Sequence, residues 1–211
     1  MIKVIIPYDD NDSELGGYFE DSFNDINTNI YHTENITVTS IRGLECLEEK
    51  IISVATESKD TFIFIGISHG NEKQLLTENY VFVDSENVSH FNKSFFYTPA
   101  CSTALVLGKK LIENGCSAFI GCNKDTFVTF EDFNYVYIEC ENYCIKEFLN
   151  SNDTIQVVFD NMLAFFDNKI DLLFEKHYDE VLLAMELQHN KDSFVLYGNK
   201  DLKKSDFEIE L

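Results

Sequence analysis

The stretch TFIFIGISHGNEK, residues 61–73, narrows the fold of this chain more than any other part of it. Its opening residues are nearly all strand formers, and apolar side chains do not alternate with polar ones. A strand with one wet face alternates. An unbroken apolar run is covered on both faces, the habit of a parallel sheet held between layers of helices. The run stops at Ser68-His69-Gly70, so an imidazole and a glycine stand where a buried strand gives out. SFFYTPACSTALVLGKKLIENG, residues 94–115, repeats the arrangement, its apolar run ending on Cys101 with small residues behind it.

The rest of the sequence supplies partners for such strands. IKVII at 2–6 reads as a buried first strand closed by Pro7 and an acidic turn, and NITVTSIRG at 35–43 as a second that Gly43 ends. LECLEEKIISVATES carries apolar residues at 44, 47, 51, 52 and 55, a helical spacing. VFVDSENV reads as a hairpin arm. A helix is predicted over 102–114, directly behind Cys101, with Leu105, Leu107, Leu111 and Ile112 inward and Gly115 ending it. CSAFIGC at 116–122 is a fifth strand, helices are predicted over 133–149, 153–167 and 170–189, and SFVLYGN at 193–199 is a last strand. Strands alternating with helices, without a repeat or linker-like stretch, imply one α/β domain over residues 1–211 around a mostly parallel sheet.

Charge narrows the partners. Acidic residues number 37 against 16 basic ones, a formal net charge of -21, while 45% hydrophobic and 14% aromatic content places that charge on a folded body. Nucleic acid is excluded as a partner because phosphate binding needs a basic footprint. A cationic ligand or basic peptide suits the same field. No apolar run approaches the roughly 18 to 20 residues that span a bilayer, and MIKVIIPYDD turns acidic too soon for a signal peptide, so the expected setting is cytoplasmic, away from membranes. The six cysteines lie mostly in apolar segments, as reduced core residues do, and no CxxC pair or His/Cys spacing suggests a metal.

In open α/β sheets ligands bind at the carboxyl ends of the strands, and consecutive strands are usually neighbours. That puts His69 and Cys101 over one edge of the sheet. A thiol is mostly protonated at neutral pH, and a nearby imidazole with the N-terminus of the following helix favours the nucleophilic thiolate. His69 is therefore the candidate general base and acid, and Cys101 the candidate nucleophile. Gly70 lets a substrate approach its backbone, and its N–H, with that of Cys101, suits a developing oxyanion. Ser102 and Thr103 are expected to begin the helix and to satisfy free N–H groups of its first turn. His32, His90, His177 and His189 read as surface residues. Cys122 reads as packing or as a further residue of the same cleft. Asp9, Asp10 and Asp12 after the first strand have two readings, an acidic loop or a phosphoacceptor or Mg²⁺ site.

Strand-SHG, strand-PAC followed by Ser102-Thr103, and a helix leading into ENGCSAFIGC together resemble the caspase-like cysteine peptidases, on the side of CHAT domains, separases and gingipains. SFVLYGNKDLKKS is similar to the closing YGDP-L segment of CHAT and gingipain-like domains, with Asn199 and Lys200 where Asp and Pro are usual. The resemblance runs from about residue 45 to 203 and is densest over 61–122. It implies a caspase-like three-layer α/β/α sandwich and a cysteine endopeptidase acting on a protein substrate through Cys101 and His69, with oxyanion donors at Gly70 and Cys101 and no cofactor. A free protease in a cytoplasm needs restraint, so activation by a partner, a second messenger or proteolysis, or inhibition by a protein partner, is expected, and CHAT-type relatives associate such a chain with bacterial defence, antiviral defence included, or programmed death. PACST in place of the caspase QACRG, and 32 residues from His69 to Cys101 against roughly 50 in caspases, argue against strict aspartate specificity. Metacaspases carry an acid where Pro99 stands. Separases carry acids after the fifth strand, where this chain has Asp125, Glu131 and Asp132, and a carboxylate there would select a basic P1 side chain by charge pairing. A register without gaps after Gly121 favours Asp132. Phe127, Phe130, Phe133, Tyr135 and Tyr137 either line subsites or pack in the core. Two other readings stay open: an inert caspase-like binding or regulatory module, and a receiver- or flavodoxin-like signalling domain that uses the acidic loop with Mg²⁺ or FMN.

Overall fold

The structure, a computed structural model, describes residues 1–31, 33, 35–58, 61–129, 131–174 and 178–208. The chain runs β1 (Ile2–Tyr8), α1 (Gly16–Tyr31), β2 (Ile36–Arg42), α2 (Glu48–Glu57), β3 (Ile63–Ile65), β4 (His69–Gly70), β5 (Gln74–Leu76), β6 (Val81–Asp84) and β7 (Phe95–Tyr97). It continues through α3 (Leu107–Glu113), β8 (Ala118–Cys122), α4 (Asn134–Asn150), α5 (Ile155–Phe174), α6 (Tyr178–Ser193) and β9 (Phe194–Gly198). Six strands form the central sheet in the order β2-β1-β3-β7-β8-β9. All neighbours are parallel except β8 and β9, which pair antiparallel from Ala118–Gly198 to Cys122–Phe194. β4, β5 and β6 form a small antiparallel sheet, of which the expected hairpin arm is the outer strand.

The unbroken apolar run has the cause inferred for it. Ile63, Phe64 and Ile65 are all inaccessible, and successive residues enter opposite cores because side chains alternate across a strand. Ile63 and Ile65 join Ile6, Tyr97 and Ile120 against apolar residues of α1, α4, α5 and α6. Phe64 joins Phe96, Phe119 and Leu107 in the second core, with α2, α3 and the small sheet. The result is the three-layer α/β/α sandwich, with a mostly parallel sheet as its middle layer.

Several elements differ from their sequence expectations. The runs at 61–68 and 94–101 are strand only over Ile63–Ile65 and Phe95–Tyr97, since past Ile65 the chain bonds irregularly to both neighbours, Gly66 N–H to Tyr97 O and Ile67 N–H to Pro7 O. The helix behind Cys101 starts at Leu107 rather than Ser102, because Ser102 sits at φ 58, a left-handed conformation no α-helix admits. Leu105 consequently lies in the turn and is exposed, while Leu107 and Leu111 are buried as expected. The polar stretch before β2 contains α1, and the third long helix begins at Tyr178 rather than 170. His32, His177 and Phe130 lie outside the described residues.

Candidate active site

The carboxyl ends of β1, β3 and β7 lie side by side, because β1 pairs with β3 and β3 with β7. The segments leaving β3 and β7 contribute to one cavity of about 170 Å³, walled by residues that include Ile67, Ser68, His69, Pro99, Ala100 and Cys101. Leu15, just before α1, and Tyr18 and Phe19 in its first turn complete the lining with Thr126, Val128 and Glu141. The two strand ends singled out in the sequence thus share a cavity wall.

His69 has a carboxylate partner. Its Nε2 lies 3.1 Å from Asp12 Oδ2, and Phe19 meets the imidazole edge-on at 5.3 Å between centroids. Asp12 Oδ1 meanwhile accepts the N–H groups of Glu14 and Leu15, at 2.9 and 2.7 Å, in the turn that enters α1. Burial disfavours the Asp12 charge, but these two N–H groups and the imidazole outweigh it and hold the carboxyl below its ordinary value. In the tautomer that donates Nε2–H to an ionised Asp12, Nδ1 is the ring nitrogen left to exchange a proton. The acidic loop therefore serves protein donors: Asp9 accepts from the N–H of Asn11 and Glu78, and Asp10 pairs with Arg42 at 3.2 Å. Among the described residues no cluster of His, Cys, Asp and Glu could hold a metal ion.

Cys101 sits in a turn stitched to its surroundings by main-chain bonds. Ser102 N–H donates to Lys124 O and Ala104 N–H to Cys122 O, while Thr103 Oγ1 donates to Ala100 O. The N–H groups of Val106 and Leu107, at the start of α3, both go to Glu72 O. The helix N-terminus expected to favour the thiolate is thus displaced from Cys101 and occupied. The sulfur instead meets Thr126, whose N–H donates to it at 3.2 Å. Gly70 packs against the same turn, and a Cβ there would meet Ala100 Cβ and Thr103 Cγ2 at 2.8 Å and Cys101 O at 2.9 Å. Its lack of a side chain is required by the Cys101 turn itself.

The other five cysteines are buried, and Cys101 alone among the six is partly exposed. Burial pushes the Cys46 thiol up to about 12 and Cys116 up to about 11, and it raises Cys122, Cys140 and Cys144 as well. Cys122 is sealed in the core, with Sγ directed at Pro99 O at 3.5 Å, so it packs rather than lines the cavity.

Asp125, Glu131 and Asp132 stand outside the cavity wall. Asp125 is exposed and accepts Ser102 Oγ–H at 2.7 Å, while Glu131 and Asp132 are exposed in a short 3-10 turn. The acid on the wall is Glu141, only 3% accessible, its Oε2 accepting Tyr18 O–H at 2.6 Å. Tyr97 O–H donates to its main-chain carbonyl. Burial pushes its carboxyl up to about 7, against the pull of the Tyr18 hydrogen bond. The sequence signal for Glu141 was a carboxylate on the apolar face of α4, amid Tyr137, Ile138, Cys144, Ile145 and Phe148. Phe127 and Tyr135 are exposed, Phe133 is half-buried and Tyr137 is core. Of the remaining histidines, His90 is exposed and His189 is half-buried, with Nε2 2.8 Å from Asp125 O.

No protein-family model and no curated protein matches the sequence. Among solved structures, the separase of the Saccharomyces cerevisiae separase–securin complex superposes with a TM-score of 0.56 at 14% identity, covering 94% of this chain and 12% of the separase. An inactive zymogen C11 protease from Parabacteroides distasonis gives 0.43 at 14% identity over 59% of this chain and 49% of its own. A secreted C11 cysteine protease from Bacteroides thetaiotaomicron, in complex with an irreversible peptide inhibitor, gives 0.46 at 14% identity over 73% and 61%. The chain spans less than two thirds of each of them. The separase superposition extends over nearly the whole chain, and the fold is the caspase-like one that the SHG and PAC strand ends suggested.

Proposed function

We propose that this chain is a cysteine endopeptidase that cleaves protein substrates after a basic residue. One observation carries the reading: His69, held by Asp12, and Cys101 line a single cavity whose wall also carries the buried carboxyl of Glu141. In the proposed reaction His69 Nδ1 takes the Cys101 thiol proton, and the resulting thiolate attacks the scissile carbonyl carbon as the carbonyl π electrons move onto oxygen. The N–H groups of Gly70 and Cys101 receive that oxyanion. Asn71 N–H bonds to Gln74 O, so by antiparallel alternation the Gly70–Leu75 pair is a non-hydrogen-bonded one, and Gly70 N–H points away from β5. As the tetrahedral intermediate collapses, protonated His69 gives its Nδ1 proton to the departing amine, leaving a Cys101 thioester. Water then loses a proton to His69 and attacks the thioester, freeing the carboxylate product and the thiolate.

Glu141 supplies the P1 preference. A lysine or arginine entering the cavity brings the charge that its buried carboxyl lacks, and ionisation of Glu141 follows. It takes the role expected of Asp125, Glu131 or Asp132. The yeast separase superposed here is bound to securin, and restraint of this chain by a protein partner is part of the same reading.

The test is intact-protein mass spectrometry after exposure to a peptidyl electrophile ending in Arg. A single adduct on Cys101 is expected, absent in Cys101→Ala, strongly reduced in His69→Ala, and losing its preference over a norleucine-ended analogue in Glu141→Gln. Labelling spread over several cysteines and indifferent to His69 would sink the peptidase reading and favour an inert module with the same cleft.

A further inference from the structure

We infer that Thr126 is the residue that keeps the Cys101 sulfur in its nucleophilic state, and that Asn190 of α6 holds Thr126 in position to do so. The inference rests on the peptidase reading only in taking Cys101 as the nucleophile. The polar contacts of the sulfur converge on this one residue, in the segment that leaves β8: Thr126 N–H at 3.2 Å, Thr126 Oγ1 at 3.4 Å and Thr126 O at 3.9 Å. The three respond differently to ionisation. A main-chain N–H can only donate, so its bond to sulfur strengthens when the thiol becomes a thiolate. The hydroxyl can accept from S–H or donate to S⁻ and serves either state. The carbonyl can only accept, and it is the most distant. The nearest contact is thus the one that can only donate and the most distant the one that can only accept, a balance that favours the charged form and gives Cys101 the support that the start of α3, occupied by Glu72 O, does not.

A donor of this kind works only if the segment is held still. Asn190, fully buried, accepts Phe127 N–H through Oδ1 at 2.9 Å and donates through Nδ2 to Phe127 O at 2.8 Å. A side-chain amide that both accepts from and donates to one residue fixes the peptides on either side of it, which an Asp, lacking donors, does not. On the other flank Asp125 is tied twice, to Ser102 Oγ–H and to the His189 ring. Thr126 is therefore clamped from both sides, with its N–H aimed at the sulfur. Asn190 touches no reacting atom and is a positioning residue.

The experiment is the rate of Cys101 alkylation by iodoacetamide as a function of pH, read by peptide-mapped mass spectrometry with Cys101→Ala as blank. Loss of the main-chain N–H that donates to a charged sulfur predicts that Thr126→Pro reacts roughly tenfold more slowly at pH 7, with its rate profile moved to higher pH. Thr126→Val, which keeps the N–H and loses only the hydroxyl that serves either state, should hold the wild-type profile. Asn190→Asp, which keeps the acceptor and loses the donor, should move it in the direction of Thr126→Pro without altering Thr126 itself. Thr126→Pro and Asn190→Asp profiles that coincide with wild type overturn the inference. Because alkylation requires no peptide cleavage, a moved profile in a protein that cleaves nothing would count against the peptidase reading alone, and an unmoved profile in an active peptidase against this one alone.

Discussion

Glu141 and Asp12 are both carboxylates beside the same cavity, and their surroundings push them in opposite directions. Glu141 releases its proton near 7 when folded, against an ordinary value of 4.5. Between those values the folded state holds a proton that the unfolded chain has lost, so stability present below pH 4.5 falls as pH rises and is gone above about 7. The span corresponds to about 3 kcal/mol. Urea unfolding at pH 5 and pH 8 checks this: wild type should lose more stability between the two than Glu141→Gln, whose amide still accepts from Tyr18, and parallel losses would contradict it. Asp12 is ionised over the same range and acts through His69. Asp12→Asn is expected to lower the rate of Cys101 acylation by about 10- to 100-fold, since an amide no longer fixes the proton on Nε2 or stabilises the imidazolium. Measured kcat should fall more than KM rises, whereas an unchanged kcat would remove Asp12 from the site. His69 and Cys101 were legible because each ends an apolar run, a local signal. Asp12 was visible only as part of an acidic triplet, since its role depends on β1 lying beside β3. The apolar face of α4 marked Glu141 as buried, but its place on the cavity wall depends on the path of α4 across the sheet, which no local pattern encodes.

At the scale of elements, the turn carrying Cys101 depends on how closely α3 approaches the sheet. Gly108 lies in the first turn of α3, over the Phe119 ring of β8, and a Cβ there would meet ring atoms at 2.5 to 2.8 Å. Phe119 is fully buried and stacked between Phe96 and Tyr197, so it cannot swing aside. Gly108→Ala is therefore expected to destabilise by about 1–3 kcal/mol, as overpacking does. It should also displace the turn that α3 follows, so the denaturation midpoint and Cys101 labelling should fall together. A loss of stability with untouched labelling would show the turn to be independent of the helix. The same region shows where sequence patterns lose resolution. Apolar runs marked β3 and β7 correctly but overstated their lengths, because residues past the last ladder pair stay buried, as Ile67 and Ala100 do. The helix read over 102–114 started late because the turn ahead of it is satisfied by Glu72, Cys122 and Lys124 carbonyls, partners distant in sequence. Helix α1 was overlooked although Tyr18, Ser22, Ile26 and Ile30 recur every four residues on its buried face. Its Gly-Gly start and its Asn and Asp residues have weak helix propensity, and packing on the sheet overrides that.

Across the whole molecule the dominant quantity is a net charge of -21 around a site whose proposed ligand is cationic. Among the described residues Lys146, Lys169 and Lys191 are each engaged with a carboxylate, so the basic minority does little to interrupt the negative field. Such a field raises the local concentration of cations and accelerates their association, and salt removes the effect as the screening length shrinks from about 30 Å at 0.01 M to about 10 Å at 0.1 M. Labelling of Cys101 should therefore be measured with two Arg-ended electrophiles, one flanked by Lys and one by Glu, across that range of ionic strength. The Lys-flanked rate constant is expected to fall by roughly tenfold as salt rises, and the Glu-flanked one to rise, with the two converging at high salt. Opposite slopes identify the surplus charge as a steering device for basic segments of a substrate, acting over a longer range than the Glu141 contact. Equal slopes would confine selectivity to the cavity and leave the acidic surface a role in solubility.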